Sequence, residues 1–337
     1  MPVDELAPND PRVEHKFKSF GDIKYHYIVG KPQGQPAATI LLIHGWPDLG
    51  FGWRFQVPYL VSLGLQVIVP DMLGYGQTSA PESPEEYTLK KMSAHMVAIV
   101  KDHTNQPIIL GGHDWGGFFV WRMTAYYPES IRAVFSICVP YMPPSPVKLS
   151  LEDVVSKYPN FRYQLQFASG EAEKILDKSP ERIRGLMNGF FGGKTPEGEG
   201  PVRVEVGVLE DNLERISPST FVSKEVIDFY VQEHSRHGFH GPFNWYRTRL
   251  LNGEDDLELA TKDPKIKIPA MLVMGEKDAA LPPRLADGQE KFFEAGLKKE
   301  VAPRAGHWLM VERPDLINKY IGEFVKSVLG DELKASL

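Results

Sequence analysis

Residues 107–127 read Pro-Ile-Ile-Leu-Gly-Gly-His-Asp-Trp-Gly-Gly-Phe-Phe-Val-Trp-Arg-Met-Thr-Ala-Tyr-Tyr, and no other stretch constrains the fold as tightly. Ile108, Ile109 and Leu110 form the short apolar run of a strand buried on both faces. Over 117–127 the apolar residues recur at helical spacing. Between the two lies Gly112-His113-Asp114-Trp115-Gly116, the nucleophile-elbow pattern with Asp114 at the nucleophile position. A strand that turns at once into a helix leaves no room for a Cβ beside the central residue, hence the glycines. The central side chain is then held at the top of the sheet near the positive end of the helix, where a carboxylate stays ionised. Serine there would suggest acyl transfer. Aspartate suggests attack on an sp³ carbon and a covalent alkyl ester. The other reading is a helix N-cap, which Asp fills well, although a bare cap needs no glycine two residues to either side.

The rest of the chain supplies the setting. Residues 1–15 read as an arm with little core, and 17–29 as a hairpin of two strands at a sheet edge. Residues 38–43 form a buried strand running into His44-Gly45-Trp46-Pro47. The amide of Trp46, with that of Trp115, is a candidate oxyanion hole. The loop type predicts a cis bond at Trp46-Pro47, and His44 is assigned to ordering this loop. A helix over 50–62, a strand over 66–69 and a Gly-rich turn over 70–79 follow, with Asp71 bracing the turn. A helix spans 87–101, and 131–139 is a further strand. Strands alternating with helices indicate a doubly wound, mostly parallel sheet.

The rhythm breaks at Pro140, with Pro143, Pro144 and Pro146 close behind. No strand-like run recurs until Ile266. Helices are predicted over 151–157, 171–177, 180–191, 223–234 and 243–251, and a polar loop over 192–200. The chain therefore divides into a core over 1–140, a helical cap over 141–263 and the rest of the core over 264–337. A cap so placed closes over Asp114. A strand over 268–274 ends in Gly275-Glu276-Lys277-Asp278, and one over 298–302 leads to Gly306-His307-Trp308. A helix over 314–329 closes the chain.

Composition narrows the function classes. A net charge of −6 gives no nucleic-acid footprint and no basic membrane patch. No apolar segment reaches membrane-spanning length, and the first ten residues carry no basic-then-apolar leader. The final Ala-Ser-Leu departs from the Ser-Lys-Leu peroxisomal address. The single cysteine, Cys138, reads as buried and inert and suits a cytoplasmic setting. Zinc-like clusters and phosphate loops are absent from the sequence, so neither metal nor cofactor is expected.

Asp114, Asp278 and His307 each follow a strand, in the order nucleophile, acid, histidine. An aspartate nucleophile is already ionised, so His307 is needed for the second step, taking a proton from the water that attacks the ester. Asp278 orients it and stabilises the imidazolium.

These residues resemble the soluble-type epoxide hydrolases of the α/β-hydrolase fold over about 17–329. The likeness rests on His44-Gly45-Trp46-Pro47, Gly112-His113-Asp114-Trp115-Gly116-Gly117, Gly275-Glu276-Lys277-Asp278 and Gly306-His307-Trp308. The same four motifs also resemble haloalkane dehalogenases. Phe161-Arg162-Tyr163-Gln164-Leu165-Gln166-Phe167 and Gly241-Pro242-Phe243-Asn244-Trp245-Tyr246-Arg247 resemble the segments that carry the family's lid tyrosines. The resemblance implies that Asp114 opens an epoxide ring, Tyr163 and Tyr246 protonate its oxygen, and His307 activates the hydrolytic water. The expected partners are a small lipophilic epoxide and water, with the chain a monomer or homodimer. A dehalogenase using the same aspartate, or a non-catalytic small-molecule receptor, are the other readings.

Overall fold

The computed structural model describes residues 3–335. The readings of the leader and of the terminal tripeptide rest partly on residues 1–2 and 336–337, which lie outside the described residues. Among residues 3–15 only Leu6 and Asp10 are buried, an arm with little core, and the Leu6 amide ties it down by reaching the Arg54 carbonyl at 3.0 Å. β1 (Val13–Phe20) and β2 (Ile23–Gly30) form an antiparallel hairpin. β3 (Ala38–Ile43) and β4 (Leu65–Pro70) flank a segment expected as one helix. That segment divides into a 3-10 turn at Gly50–Trp53 and α1 (Gln56–Ser62). Pro58 lacks the N–H of a helix interior, so the helix starts just ahead of it. α2 (Leu89–Lys101), β5 (Ile108–His113), α3 (Trp115–Tyr126) and β6 (Ile131–Ile137) follow.

The long insertion is mainly helical: α4 (Leu151–Lys157), α5 (Tyr163–Ser169), α6 (Glu171–Leu176), α7 (Pro180–Phe190), then α8 (Glu210–Leu213), α9 (Lys224–His234), α10 (His240–Arg247) and α11 (Arg249–Leu259). Three features depart from the sequence reading. α5 was not among the expected helices. α10 and α11 replace a single helix over 243–251. β7 (Val202–Arg203) and β8 (Gly207–Val208) make a two-stranded ribbon where no strand was expected. Strands of two residues carry no period for a pattern to show.

β9 (Ala270–Gly275), β10 (Leu297–Ala302), α12 (Leu309–Glu312), α13 (Pro314–Leu329) and α14 (Asp331–Ala335) complete the chain. The sheet order is β1-β2-β4-β3-β5-β6-β9-β10. β4, β3, β5, β6, β9 and β10 run parallel, and β2 runs against β4. The parallel strands β3 to β6 and β9 are almost wholly buried, in keeping with their mostly apolar residues. β1 and β10, at the two edges, mix lysines with apolar residues, as exposed edges do. α1 packs with α13, and α2 with α3.

The chain forms two compact units. One holds Met1–Met72, Leu89–Pro146 and Asp255–Leu337, with the sheet; the other holds Leu73–Thr88 and Val147–Glu254. Among the described residues no helix is long and apolar enough to cross a membrane.

Candidate active site

Because the central strands are parallel, the loops after β3, β5, β9 and β10 leave the same end of the sheet, and they carry Trp46, Asp114, Asp278 and His307. Asp114 has φ 54° and ψ −123°, a conformation non-glycine residues avoid at a cost of order 1–3 kcal/mol. Main-chain bonds hold it there. Its amide donates to the Ile137 carbonyl at 3.2 Å, and its carbonyl accepts from the Phe118 amide at 3.1 Å. A Cβ on Gly112 would overlap the Gly116 carbonyl, and one on Gly116 would overlap that of Ile43. The elbow closes only around two residues without side chains.

The two oxygens of Asp114 face different partners. Oδ1 accepts from the Trp46 amide at 2.8 Å, and the Trp115 amide also donates to the carboxylate. Oδ2 lies 3.6 Å from His307 Nε2, beyond hydrogen-bond distance. The Trp46–Pro47 bond is cis. His44 braces this loop: its Nδ1–H donates to the Gly45 carbonyl at 2.9 Å, and its Nε2 accepts from the Met72 amide at 2.9 Å. Asp71 bridges His26, at 2.7 Å, and the Gly50 amide, at 3.1 Å.

His307 Nδ1 donates to Asp278 Oδ2 at 2.7 Å. The other oxygen of Asp278 accepts from the amides of Ala280 and Leu281, each at 2.9 Å, which fixes the acid without help from the imidazole. Burial opposes a charged imidazole, yet the Asp278 carboxylate outweighs it and holds His307 well above its ordinary value. Burial likewise opposes the Asp278 charge, and the imidazole with the Leu281 amide brings that carboxyl below the usual range. Asp114 shifts in the opposite direction to Asp278. Burial pushes its carboxyl above the ordinary value, against the pull of His307 and of the Trp115 and Trp46 amides.

Three residues that the sequence reading left outside the site hold the His307 loop, Cys138 among them, which is buried as expected. Glu312 accepts from the Gly306 amide at 2.8 Å and the Trp308 amide at 3.1 Å, one on each side of the histidine. His113 Nε2–H donates to the His307 carbonyl at 2.9 Å, and the Cys138 thiol lies 3.5 Å from the same oxygen. Burial pushes His113 down to about 3 and the Cys138 thiol up to about 12, so both are neutral near pH 7. Donor atoms of His113, Cys138 and His307 lie within 4.8 Å of one another. The sequence held one signal for His113, its place inside the elbow; for Cys138 and Glu312 it held none.

The other unit brings the two candidate phenols together. Tyr163 opens α5, and Tyr246 is the seventh residue of α10. Their ring centroids are 6.3 Å apart at 75°, and the buried Phe167 lies 5.1 Å from each. Gln164 Nε2 donates to the Tyr163 oxygen at 3.3 Å, a contact that uses a lone pair and not the phenolic proton. Tyr141 and Tyr230 are buried, the former donating to the Pro264 carbonyl at 2.6 Å.

Comparison with known proteins places this geometry. Residues 38–174 match the family model described as the alpha/beta hydrolase fold. The chain is 49% identical to the epoxide hydrolase srdG of Neurospora crassa, over 98% of this chain and 100% of that one. It is 34% identical to the bifunctional epoxide hydrolase 2 of Mus musculus, over 91% of this chain and 56% of that protein. Among solved structures, epoxide hydrolase A of Mycobacterium thermoresistibile matches with a TM-score of 0.78 at 29% identity, covering 93% of this chain and 98% of that one. Epoxide hydrolase VrEH1 of Vigna radiata matches at 0.80 and 26%, over 94% and 98%. An acid on a strand-to-helix corner, a histidine–acid pair beside it and these likenesses agree: the chain belongs to the epoxide hydrolases of the α/β-hydrolase fold, hydrolases that act on ether bonds.

Proposed function

We propose that the chain converts lipophilic epoxides to vicinal diols through an alkyl ester on Asp114. Oδ2 attacks a ring carbon, the C–O bond breaks, and Tyr163 and Tyr246 give the departing alkoxide its proton. A neutral phenol, with an ordinary pKa of ~10, still carries that proton at pH 7. Water then adds to the ester carbon as His307 Nε2 takes its proton, and Asp278 stabilises the imidazolium. Collapse of the tetrahedral intermediate expels the diol oxygen, which takes its proton from the His307 imidazolium, and the proton left on the Asp114 carboxyl returns through solvent to the phenolate, so that the carboxylate, the imidazole and both phenols are restored. A lone buried thiol suits the reducing cytoplasm.

One observation carries the reading. Oδ1 already accepts from the Trp46 amide, so the future ester carbonyl sits on oxyanion-hole donors before reaction, while Oδ2 is left for attack. Alkylation also removes the Asp114 charge next to His307. The imidazolium loses a stabilising neighbour as it must become a base.

A single turnover in ¹⁸O-water tests this. Label is expected in the Asp114 carboxylate and not in the first diol released. Label in that first diol would mean direct attack by water. Release of halide from haloalkanes, with epoxides left intact, would favour the dehalogenase reading.

A further inference from the structure

We propose that Arg247 is the positioning residue that sets the pairing of the two phenols, and with it the rate of ring opening. The proposal rests on the reading of Tyr163 and Tyr246 as proton donors. Arg247 follows Tyr246 at the end of α10 and turns back across α5 and α6. Its Nε donates to the Ala168 carbonyl, near the end of α5, at 3.1 Å, and its Nη2 donates to Glu173 Oε2 on α6 at 2.6 Å. Its Nη1 donates within α10, to Asn244 Oδ1 at 2.9 Å and to the His240 carbonyl at 3.4 Å. One guanidinium therefore joins the helix bearing Tyr246 to the helix bearing Tyr163.

α5 needs such a tie. It is 7 residues long, has no side-chain cap, and ends at Gly170 with φ 85°. An isolated helix of that length is unstable in water, so its orientation comes from what it is fastened to. The Tyr163 amide, on the Val204 carbonyl at 2.9 Å, and Gln166, on Val208 at 2.7 and 3.3 Å, tie α5 to the ribbon and not to α10, and the apolar Phe167 beside both rings does not fix the turn of one helix against the other. Directed bonds do. The Arg247–Glu173 pair is largely withdrawn from water, at 16% and 20% side-chain exposure, where a charge-assisted bond holds its geometry. Lysine offers one point charge and lacks the planar fork that reaches these four groups at once.

Stopped-flow tryptophan fluorescence separates formation of the alkyl-enzyme from its decay in one trace. Arg247→Ala is expected to slow formation about tenfold or more, as a small misplacement of a reacting group does, with decay within about twofold of the parent. Added guanidinium should restore part of the lost rate; Arg247→Lys should remain slow. Tyr246→Phe should cost less in the Arg247→Ala background than in the parent, because the phenol there is already misplaced. Glu173→Gln should give a smaller slowing of the same phase and covers a failure of Arg247→Ala to fold. Unchanged formation, or both phases slowed alike with a lower Tm, would overturn the proposal. If Tyr163→Phe and Tyr246→Phe leave formation unchanged, the proton-donor reading itself fails; if they slow it and Arg247→Ala does not, only this inference fails.

Discussion

The nucleophile end of the molecule and the phenol pair are held by different kinds of bond. Asp114, Asp278 and the His307 loop are fastened mostly by main-chain amides and carbonyls: Trp46 on Oδ1, Ala280 and Leu281 on Asp278, and Gly306 and Trp308 on Glu312. The helices carrying Tyr163 and Tyr246 are fastened largely by side chains, among them Phe167, Gln166 and Arg247, with the Tyr163 amide on the Val204 carbonyl as a main-chain tie. Strand ends place backbone groups with little freedom, so geometry fixed there survives changes in the surrounding side chains. Helices of one or two turns hold their place through side-chain contacts, so a single substitution can move what they carry. The first arrangement suits the covalent step proposed for Asp114, which tolerates no slack. The second allows a site to be retuned for a new substrate without disturbing the nucleophile.

The sharpest way to break the comparison is His307→Gln. It should lower kcat by about 10²–10⁴ and leave alkylation standing, so intact-mass measurement should find protein heavier by one substrate. Unmodified, inactive protein would remove His307 from the second step. Next come Tyr163→Phe and Tyr246→Phe, each expected to slow ester formation about 10–100-fold without slowing ester decay, and together to leave almost none; stopped-flow traces check this. A slowed decay would mean that the two regions do not divide the reaction as proposed. The smallest effect sharpens the nucleophile side. Ester decay needs neutral His307, so its rate rises with pH through a pKa that Asp278 holds well above the ordinary value. Asp278→Asn removes that charge, and the acid limb of the decay rate should move to lower pH while its plateau falls. An unmoved limb would show that Asp278 does not set the titration.

Legibility in the sequence followed the same divide. The buried strands stood out because a strand covered on both faces must be apolar without interruption, as Ile40–Ile43 of β3 and Ile108–Leu110 of β5 are. The elbow stood out because two close backbone approaches demand glycine at Gly112 and Gly116. α5 did not stand out. Tyr-Gln-Leu-Gln-Phe-Ala-Ser carries two turns with no cap residue, and its first amide is satisfied by Val204 from a distant loop at 2.9 Å. The residues around His307 were hidden for a related reason. Cys138 acts at the end of β6 with φ 72°, and Glu312 acts across a turn, so neither leaves a spacing to recognise. The raised pKa of Asp114 was missed because a helix terminus can be read from a pattern, whereas the loss of hydration depends on packing from all sides.

Asp114 keeps its two oxygens in unlike surroundings, and on the proposed route that asymmetry gives them unlike histories. The atom gripped by the tryptophan amide stays with the protein through every cycle. Its twin departs inside each diol and is replaced from solvent. Unless the carboxylate flips between cycles, one half of a single side chain is as old as the polypeptide, and the other is only as old as the last molecule it released.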